Sequence, residues 1–337
     1  MDKAGYYHIL EDGVINRLQS LDDALQKREG KGYIWISLVQ PGRDELFRLE
    51  ETLQFHQVCI EECFDHNKLP KINEYSENTF LSFNTYNYSG HLLSVHEINF
   101  LLGENFLVTV SRKDFNKTHP LHDVISTIEQ EAERIKPGPA YLMHILLDLI
   151  ADHASFVIEK IVDELNSLED NMIDNSPTFK PSELQRLRRC FLTLRKSLFH
   201  EREILIKILR NDIPFIPQKA IIRFRVLYDH INKFFEMVEM ERENATSLMQ
   251  LNLSLINNQM AQAANKTNAS VRRLTLITTV FMPLTLITGI GGMSELTMMT
   301  GMDNWRIVYP ISMAVLLVIG VVNYIIIKHL EKKDRKE

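Results

Sequence analysis

Two long runs of uncharged, mostly apolar residues lie in the last quarter of the chain. They cover residues 274–294 and 307–327, and neither contains Asp, Glu, Lys or Arg. A helix of about 20 apolar residues crosses the roughly 30 Å hydrocarbon core of a bilayer. Two buried core helices of a soluble fold are the alternative, but a short connection of residues 295–306 favours a membrane hairpin. We therefore predict two transmembrane helices.

Basic residues flank this pair of runs on one side. Arg272 and Arg273 precede the first run, and five bases follow the second: Lys328, Lys332, Lys333, Arg335 and Lys336. The connecting loop carries one base, Arg306, against two acids, Glu295 and Asp303. Because Lys and Arg accumulate on the cytoplasmic side of membrane helices, both termini are predicted to be cytoplasmic and the loop to lie outside. The chain would then be a multi-pass protein of the cell (inner) membrane.

The rest of the chain is strongly charged, and its composition excludes several classes of function. A net charge of -6 disfavours a nucleic-acid partner. Three scattered cysteines indicate a reducing compartment, and the first residues do not form the basic-then-apolar pattern of a signal peptide. No phosphate-binding glycine loop and no hydrolase motif is present, so we predict neither a nucleotide partner nor an enzyme.

Alternating and helical patterns organise the N-terminal part, residues 1–217. Strands are predicted over 32–40, 78–86, 95–101 and 105–111, with a hairpin turn at Gly103-Glu104 between the last two. Helical patterns cover 44–55, 140–170 and 182–210. These elements predict a mixed sheet with helices on it, in the α/β or α+β range, as the cytoplasmic domain.

After Pro217 nothing interrupts a helical pattern until Pro283, a stretch of roughly 65 residues or about 100 Å. Such a length is typical of an oligomeric stalk. We assign residues 218–273 to the stalk helix, which then continues directly into the first apolar run. Pro283 is either a hinge or a tolerated kink.

One face of this helix stays small and polar from the stalk to the outer end. Steps of four and three residues give this polar stripe as Asn257, Ala261, Ala264, Asn268, Val271, Thr275, Thr278, Met282, Thr285 and Gly289. The neighbouring positions are bulky and apolar. Small and polar residues in membrane helices face other helices or water.

The polar stripe predicts the lining of a water-filled axis formed by several copies; close helix packing is the alternative. Its groups are neutral, which suits an ion that keeps its water shell, and Mg²⁺ dehydrates reluctantly. Val271 and Met282 are its apolar points and are predicted to act as a dewetting gate.

Two further groups of residues have the chemistry of metal ligands. His56, Cys59, Cys63 and His66 form an H-x2-C-x3-C-x2-H pattern, which fits no common zinc module, so buried cysteines are the alternative. The stalk acids are either a solvated helix face or a regulatory metal site: Glu236, Glu239, Glu241 and Glu243.

Several motifs resemble the CorA family of divalent-cation transporters, which carries Mg²⁺ and Co²⁺ and includes a zinc-handling branch. They are Asn265-Lys266-Thr267-Asn268, Leu274-Thr275, Phe281-Met282-Pro283-Leu284-Thr285, Gly289-Ile290 and Gly292-Met293-Ser294. The resemblance implies a homopentameric funnel with an α/β/α cytoplasmic domain, whose five first transmembrane helices line one pore. It also implies transported or regulatory divalent cations (Mg²⁺, Co²⁺, Ni²⁺ or Zn²⁺) and no other cofactor.

The selectivity motif departs from the family at its third position. Gly292-Met293-Ser294 stands where the family has Gly-Met-Asn, and five serines would form a wider and weaker ring than five asparagines. Glu295, directly after it, could restore the attraction for cations through charge. The expected function is passive conduction of hydrated divalent cations. The alternatives are a zinc or poorly selective cation transporter, and a non-conducting membrane scaffold or metal sensor.

Overall fold

A computed structural model describes residues 4–28, 30–64, 69–112, 121, 124–174, 179–291, 301 and 304–334. The chain divides into two units, Met1–Asn252 and Leu253–Glu337. The strands are β1 Ala4–Ile9, β2 Ile15–Leu18, β3 Tyr33–Val39, β4 Lys71–Glu74, β5 Thr79–Ser89, β6 Leu92–Leu102 and β7 Phe106–Ser111. The helices are α1 Leu21–Lys27, α2 Arg43–Leu53, α3 Val58–Phe64, α4 Val124–Gln130, α5 Ala132–Ile135, α6 Pro139–Ile173, α7 Pro181–Leu209, α8 Gln218–Gly291 and α9 Trp305–Asp334.

The strands form one mixed sheet in the order β2-β1-β3-β7-β6-β5-β4. Only β3 and β7 pair in parallel, with Ile34 opposite Phe106, and every other described pair is antiparallel. The predicted hairpin turn is confirmed, because Gly103 N–H donates to the Phe106 carbonyl at 3.0 Å. The four predicted strands are present, and the mixed sheet expected from the sequence is confirmed.

Helices cover both faces of the sheet. Ile34, Ile36 and Leu38 of β3 pack against the buried apolar residues of α2 and α3. Tyr33 and Trp35 alternate with them and therefore point to the opposite face. There the Tyr33 hydroxyl donates to the Ile135 carbonyl of α5 at 3.0 Å, and α6 packs across β5, β6 and β7. The result is the three-layered α/β/α domain.

Helices α6, α7 and α8 have the boundaries that the proline-rich breaks predict. α6 and α7 each begin with a proline in the first turn, where the missing N–H has no helical partner to lose.

His144 of α6 is buried against α8. Its Nε2 lies 3.0 Å from the Arg223 carbonyl, and its ring meets Phe224 edge-on. Burial lowers the His144 pKa, and this histidine is a packing residue.

The second unit contains the rest of α8 together with α9. α8 passes through Pro283 without interruption and ends at Gly291. Two helices of the described chain, Gln218–Ile290 and Arg306–Ile326, contain segments long and apolar enough to cross a membrane, and none of either segment is buried within the chain. α8 and α9 touch where Leu284 meets Gly320: a Cβ added at Gly320 would lie 3.4 Å from Leu284 Cδ1.

Candidate functional site

The apolar part of α8 has two distinct faces. Leu276, Val280, Pro283 and Leu284 are half-buried, whereas the other residues of 271–290 are exposed. On α9 the half-buried positions recur every three or four residues and include Gly320. These two half-buried rows are therefore the surfaces through which α8 and α9 pack together.

The predicted pore-lining residues lie on the other side of α8. All of them are exposed in the single chain: Asn257, Asn268, Val271, Thr275, Thr278, Met282, Thr285 and Gly289. At about 100° per residue, Thr278, Met282 and Thr285 fall roughly opposite Val280 and Leu284. Within the described residues the polar stripe is thus left without a packing partner, because α9 occupies the opposite face.

Each threonine hydroxyl of the stripe is bound to the helix backbone in the same way. Thr275 Oγ1 donates to the Val271 carbonyl at 2.9 Å, and Thr278 Oγ1 donates to the Leu274 carbonyl at 2.9 Å. Thr285 Oγ1 donates to the Phe281 carbonyl at 2.8 Å. A hydroxyl has one proton to donate and two lone pairs to accept with. Because the backbone takes the proton, these three hydroxyls keep only acceptor lone pairs for other partners.

Acceptor groups match the outer surface of a hydrated cation. The first-shell waters of a cation turn their oxygens inward and their hydrogens outward, so a wall that contacts them must accept hydrogen bonds. Mg²⁺ is bound by proteins with several of its waters retained. Two apolar side chains interrupt the acceptors: Val271 is 55% exposed and Met282 is 70% exposed. The stripe therefore combines hydrogen-bond acceptors with two apolar side chains that form no hydrogen bonds with water.

The other predicted residues of the conduction path fall outside the described residues. These are the selectivity motif Gly292, Met293 and Ser294 and the loop acids Glu295 and Asp303. Their assignment stays a prediction from the sequence.

The stalk acids have partners in their own chain. Glu239 lies between two arginines: Arg242 Nη2 donates to its Oε1 at 2.8 Å, and Arg195 of α7 pairs with its Oε2. Burial opposes ionisation of Glu239, but the two arginine hydrogen bonds outweigh it and lower the pKa of the carboxyl. Glu236 accepts from Asn232 at 2.8 Å.

The remaining two stalk acids are partnered as well. Glu241 accepts from Asn244 at 3.4 Å, and Glu243 lies 3.5 Å from Arg242. In the described part of the chain, no three His, Cys, Asp or Glu side chains come together in a way that could hold a metal ion. A regulatory metal site at Glu236, Glu239, Glu241 and Glu243 stays a prediction, and Glu239 could join it only by leaving its arginines.

The cysteines of the H-x2-C-x3-C-x2-H pattern are core residues. Cys59 and Cys63 are 0% and 3% exposed and pack with α2 and β3, while His66 lies outside the described residues. Burial raises the pKa of Cys59 to about 11 and that of Cys63 further. His56 stacks on Tyr75 at 4.5 Å between ring centroids. Protonated, buried thiols are poor metal ligands, because metals bind the thiolate.

We expect both thiols to resist alkylation in the folded protein. With pKa values this high, maleimide labelling of Cys59 and Cys63 at neutral pH should be at least about 100-fold slower than in denaturant. Mass spectrometry of labelled peptides from the same sample, folded and denatured, measures the ratio. Rapid labelling of the folded chain, or retention of one equivalent of zinc, would show that these cysteines are accessible ligands.

The fold and the two apolar helices define a class of protein, an α/β/α domain joined to a pair of helices long and apolar enough to cross a membrane. The family of CorA-like Mg²⁺ transporter proteins matches residues 30–329, and the chain belongs to this family of divalent-cation transporters.

Individual relatives cover nearly the whole chain. The chain is 28% identical to the cobalt/magnesium transport protein CorA of Thermotoga maritima over 316 residues, covering 93% of this chain and 86% of that protein. It is 20% identical to the zinc transport protein ZntB of Yersinia enterocolitica over 85% of this chain and 84% of that protein. The complete CorA magnesium transporter structure from Methanocaldococcus jannaschii superposes with a TM-score of 0.71. That comparison has 23% identity and covers 98% of this chain and 97% of that one.

Proposed function

We propose that copies of this chain assemble around a common axis and conduct hydrated divalent cations of the Mg²⁺ and Co²⁺ class. The observation that carries the proposal is the polar stripe of α8, which presents acceptor groups on the face turned away from α9. Family membership and the cobalt/magnesium function named for the Thermotoga maritima relative support the choice of ion.

The polar stripe of α8 also favours assembly of several copies of the chain. A row of hydroxyl and amide groups on an apolar helix is costly against lipid, so it favours contact with other helices or with water. The family resemblance supports a homopentamer, in which five copies of Asn268, Thr278 and Thr285 would surround the axis. The cell (inner) membrane, with both termini cytoplasmic, is the location consistent with the bases at Arg272, Arg273 and Lys328.

The membrane potential is sufficient to drive cation flux without a coupled chemical reaction. A divalent cation moving through 100 mV gains about 4–5 kcal/mol, and the sequence contains no nucleotide-binding motif. We therefore propose passive flux down the electrochemical gradient. Val271 and Met282, which bind no water, are the proposed gate.

Ion flux into liposomes tests this proposal directly. Full-length protein should admit Mg²⁺ and Co²⁺ in proportion to an imposed voltage, followed with an ion-sensitive dye inside the vesicles. Zinc flux that exceeds magnesium flux would favour the second candidate, a zinc transporter, which the similarity to ZntB supports. No flux of any divalent ion would favour the third, a non-conducting scaffold or metal sensor.

The serine of the selectivity motif makes a separate prediction. Ser294→Asn lengthens the side chain and adds an amide to each copy of the ring, so we expect the ratio of Mg²⁺ to Na⁺ flux to rise about tenfold. That change corresponds to about 1.4 kcal/mol, within the range of one hydrogen bond. Ser294→Ala is the matched control and should lower the ratio. An unchanged ratio in both variants would place selectivity elsewhere, with Glu295 as the next residue to substitute.

A further inference from the structure

A glutamate is completely buried between α7 and the sheet. Glu201 is 0% exposed, and its Oε1 accepts hydrogen bonds from the Tyr86 hydroxyl of β5 at 2.7 Å and from Ser197 at 3.1 Å. Asn84 of β5 donates to Ser197 at 2.5 Å, which completes a four-residue chain. Glu201 Oε2 has no hydrogen-bond partner among the described residues.

No basic side chain among the described residues forms an ion pair with this carboxyl. Burial and hydrogen bonds from Tyr86, Ser197 and the Asn84 backbone act on the pKa of Glu201, whereas three acids of the elements around α7 pair with bases of α7. These pairs are Glu74 of β4 with Lys207, Glu164 of α6 with Arg186, and Glu239 of α8 with Arg195. A buried, ionised carboxyl without a counter-charge is costly. Burial accordingly raises the pKa of Glu201 to about 7, although its hydrogen-bond donors oppose the shift.

Helix α7 also contacts α8, through a different set of its side chains. Arg202, the residue after Glu201, lies over the Phe235 ring of α8, with its guanidinium carbon 4.5 Å from the ring centroid. Arg195 pairs with Glu239, and Arg188 Nε donates to Thr246 Oγ1 at 3.3 Å. Helix α7 thus binds the sheet through Glu201 and binds α8 through its arginines, and α8 is the helix whose later residues form the polar stripe.

We propose that Glu201 is a proton-controlled latch: the neutral carboxyl holds α7 on the sheet, and its ionisation loosens α7 and alters the stalk helix that α7 grips. The loosening of α7 is a property of the soluble unit alone. Its effect on ion flux rests in addition on the proposed function. The proton thus becomes a ligand that regulates the subunit near neutral pH.

The direction of the pH dependence follows from the two pKa values. The pKa of Glu201 in the folded chain is about 7, above the ordinary value of 4.5. The neutral group therefore contributes stability that is complete below pH 4.5 and is lost as pH rises toward 7. Above about pH 8 the effect levels off, because the carboxyl is ionised both in the latched state and in the open state.

Hydrogen exchange of α7 in the full-length protein tests the latch. After correction for the intrinsic rate of exchange, opening of α7 should increase more than about tenfold between pH 5 and pH 8. Glu201→Gln should remove this increase, and infrared spectra should lose one protonated-carboxyl band that titrates near pH 7. Equal opening at both pH values, or a pH dependence that survives Glu201→Gln, would overturn the proposal.

Two further variants distinguish a specific effect of Glu201 from a general loss of folding. Tyr86→Phe removes one donor to the carboxylate and should move the titration of Glu201 to higher pH. Glu183→Gln, whose side chain is 39% exposed, is the control on the same helix and should leave the pH dependence of exchange unchanged. An unshifted titration in Tyr86→Phe would count against the assignment to Glu201.

Flux measurements separate the latch from the proposed function. We expect divalent-cation flux to differ about fivefold or more between pH 6 and pH 8, as for a typical allosteric coupling, and to become flat in Glu201→Gln. No flux at any pH would contradict the proposed function, while the exchange data would still judge the latch. Equal flux at both pH values, with the exchange increase intact, would overturn the coupling to the stalk.

Discussion

Thr278→Val should reduce divalent-cation flux through the reconstituted protein by at least about 100-fold. Valine has nearly the shape of threonine but no oxygen, so each copy loses one outward acceptor. A hydrogen bond contributes about 0.5–1.5 kcal/mol, and a ring of several copies loses several of them at one level of the axis. Because each 1.4 kcal/mol on a barrier is a factor of about ten, the expected effect on flux is large.

Thr288 supplies a matched control for this substitution. Its hydroxyl donates to the Leu284 carbonyl at 2.9 Å, the same backbone bond that Thr278 makes to Leu274. It lies about 100° around the helix from the stripe. Thr288→Val therefore removes the same group from the same kind of site and should leave flux within about twofold. Thr278→Ser retains the acceptor and should conduct nearly as well as the wild type.

Dye-based flux in liposomes at equal protein density measures these effects, with size-exclusion chromatography to confirm that assembly is unchanged. Equal losses in Thr278→Val and Thr288→Val would mean that the threonines act through helix packing and not through the stripe. Full flux in Thr278→Val would remove the stripe from the conduction path altogether.

Trp35→Ala should lower the free energy of unfolding of the first unit by about 3–5 kcal/mol, the usual loss for a large aromatic side chain in a core. Trp35 is 1% exposed, stacks on Tyr7 with ring centroids 4.9 Å apart, and donates from Nε1 to Thr109 Oγ1 at 3.2 Å. The alanine variant leaves a cavity between β1, β3 and β7 and takes away the partner of a buried hydroxyl.

Denaturant unfolding of the full-length protein in micelles, followed by circular dichroism, measures this loss. Phe156→Ala is the control, because Phe156 is an aromatic residue of α6 that is 53% exposed. It should cost less than about 1 kcal/mol, since surface substitutions rarely cost more. A loss below 1 kcal/mol for Trp35→Ala would contradict the packing of β3 in the middle of the sheet.

The long elements could be predicted because each contains many residues that repeat one pattern of apolar and polar positions. The structure confirms strands β3, β5, β6 and β7 and helices α2, α6, α7 and α8, with boundaries shifted by at most three residues. The sequence did not reveal β1, β2, β4, α1 or α3, whose runs of four to seven residues are too short for a periodicity to emerge. β2 and β4 are edge strands, and pairing with the adjacent strands β1 and β5 stabilises them in the sheet.

The candidate site, too, was predictable from the sequence only in part. The small and polar residues of α8 recur at helical spacing, so the stripe from Asn257 to Gly289 was visible in the sequence. Its position opposite α9 was not, because it depends on which face of α8 meets Gly320. Arg242 stands three residues from Glu239 and could be paired by inspection. Arg195 comes from another helix, and only the packing of α7 on α8 brings it to the same carboxylate.

The sequence alone determined the two long apolar helices, the helical stripe and the mixed sheet, because each is a local pattern of polarity repeated over many residues. Tertiary structure alone decided which side of α8 stays free, which acids are neutralised by arginines and which glutamate loses its water. Glu201 shows the reason: its neighbours in the chain are polar, yet burial raises its pKa, and hydrogen bonds from β5 residues more than a hundred positions away oppose that shift. Local patterns specify elements, whereas burial and charge pairing are properties of the packed whole.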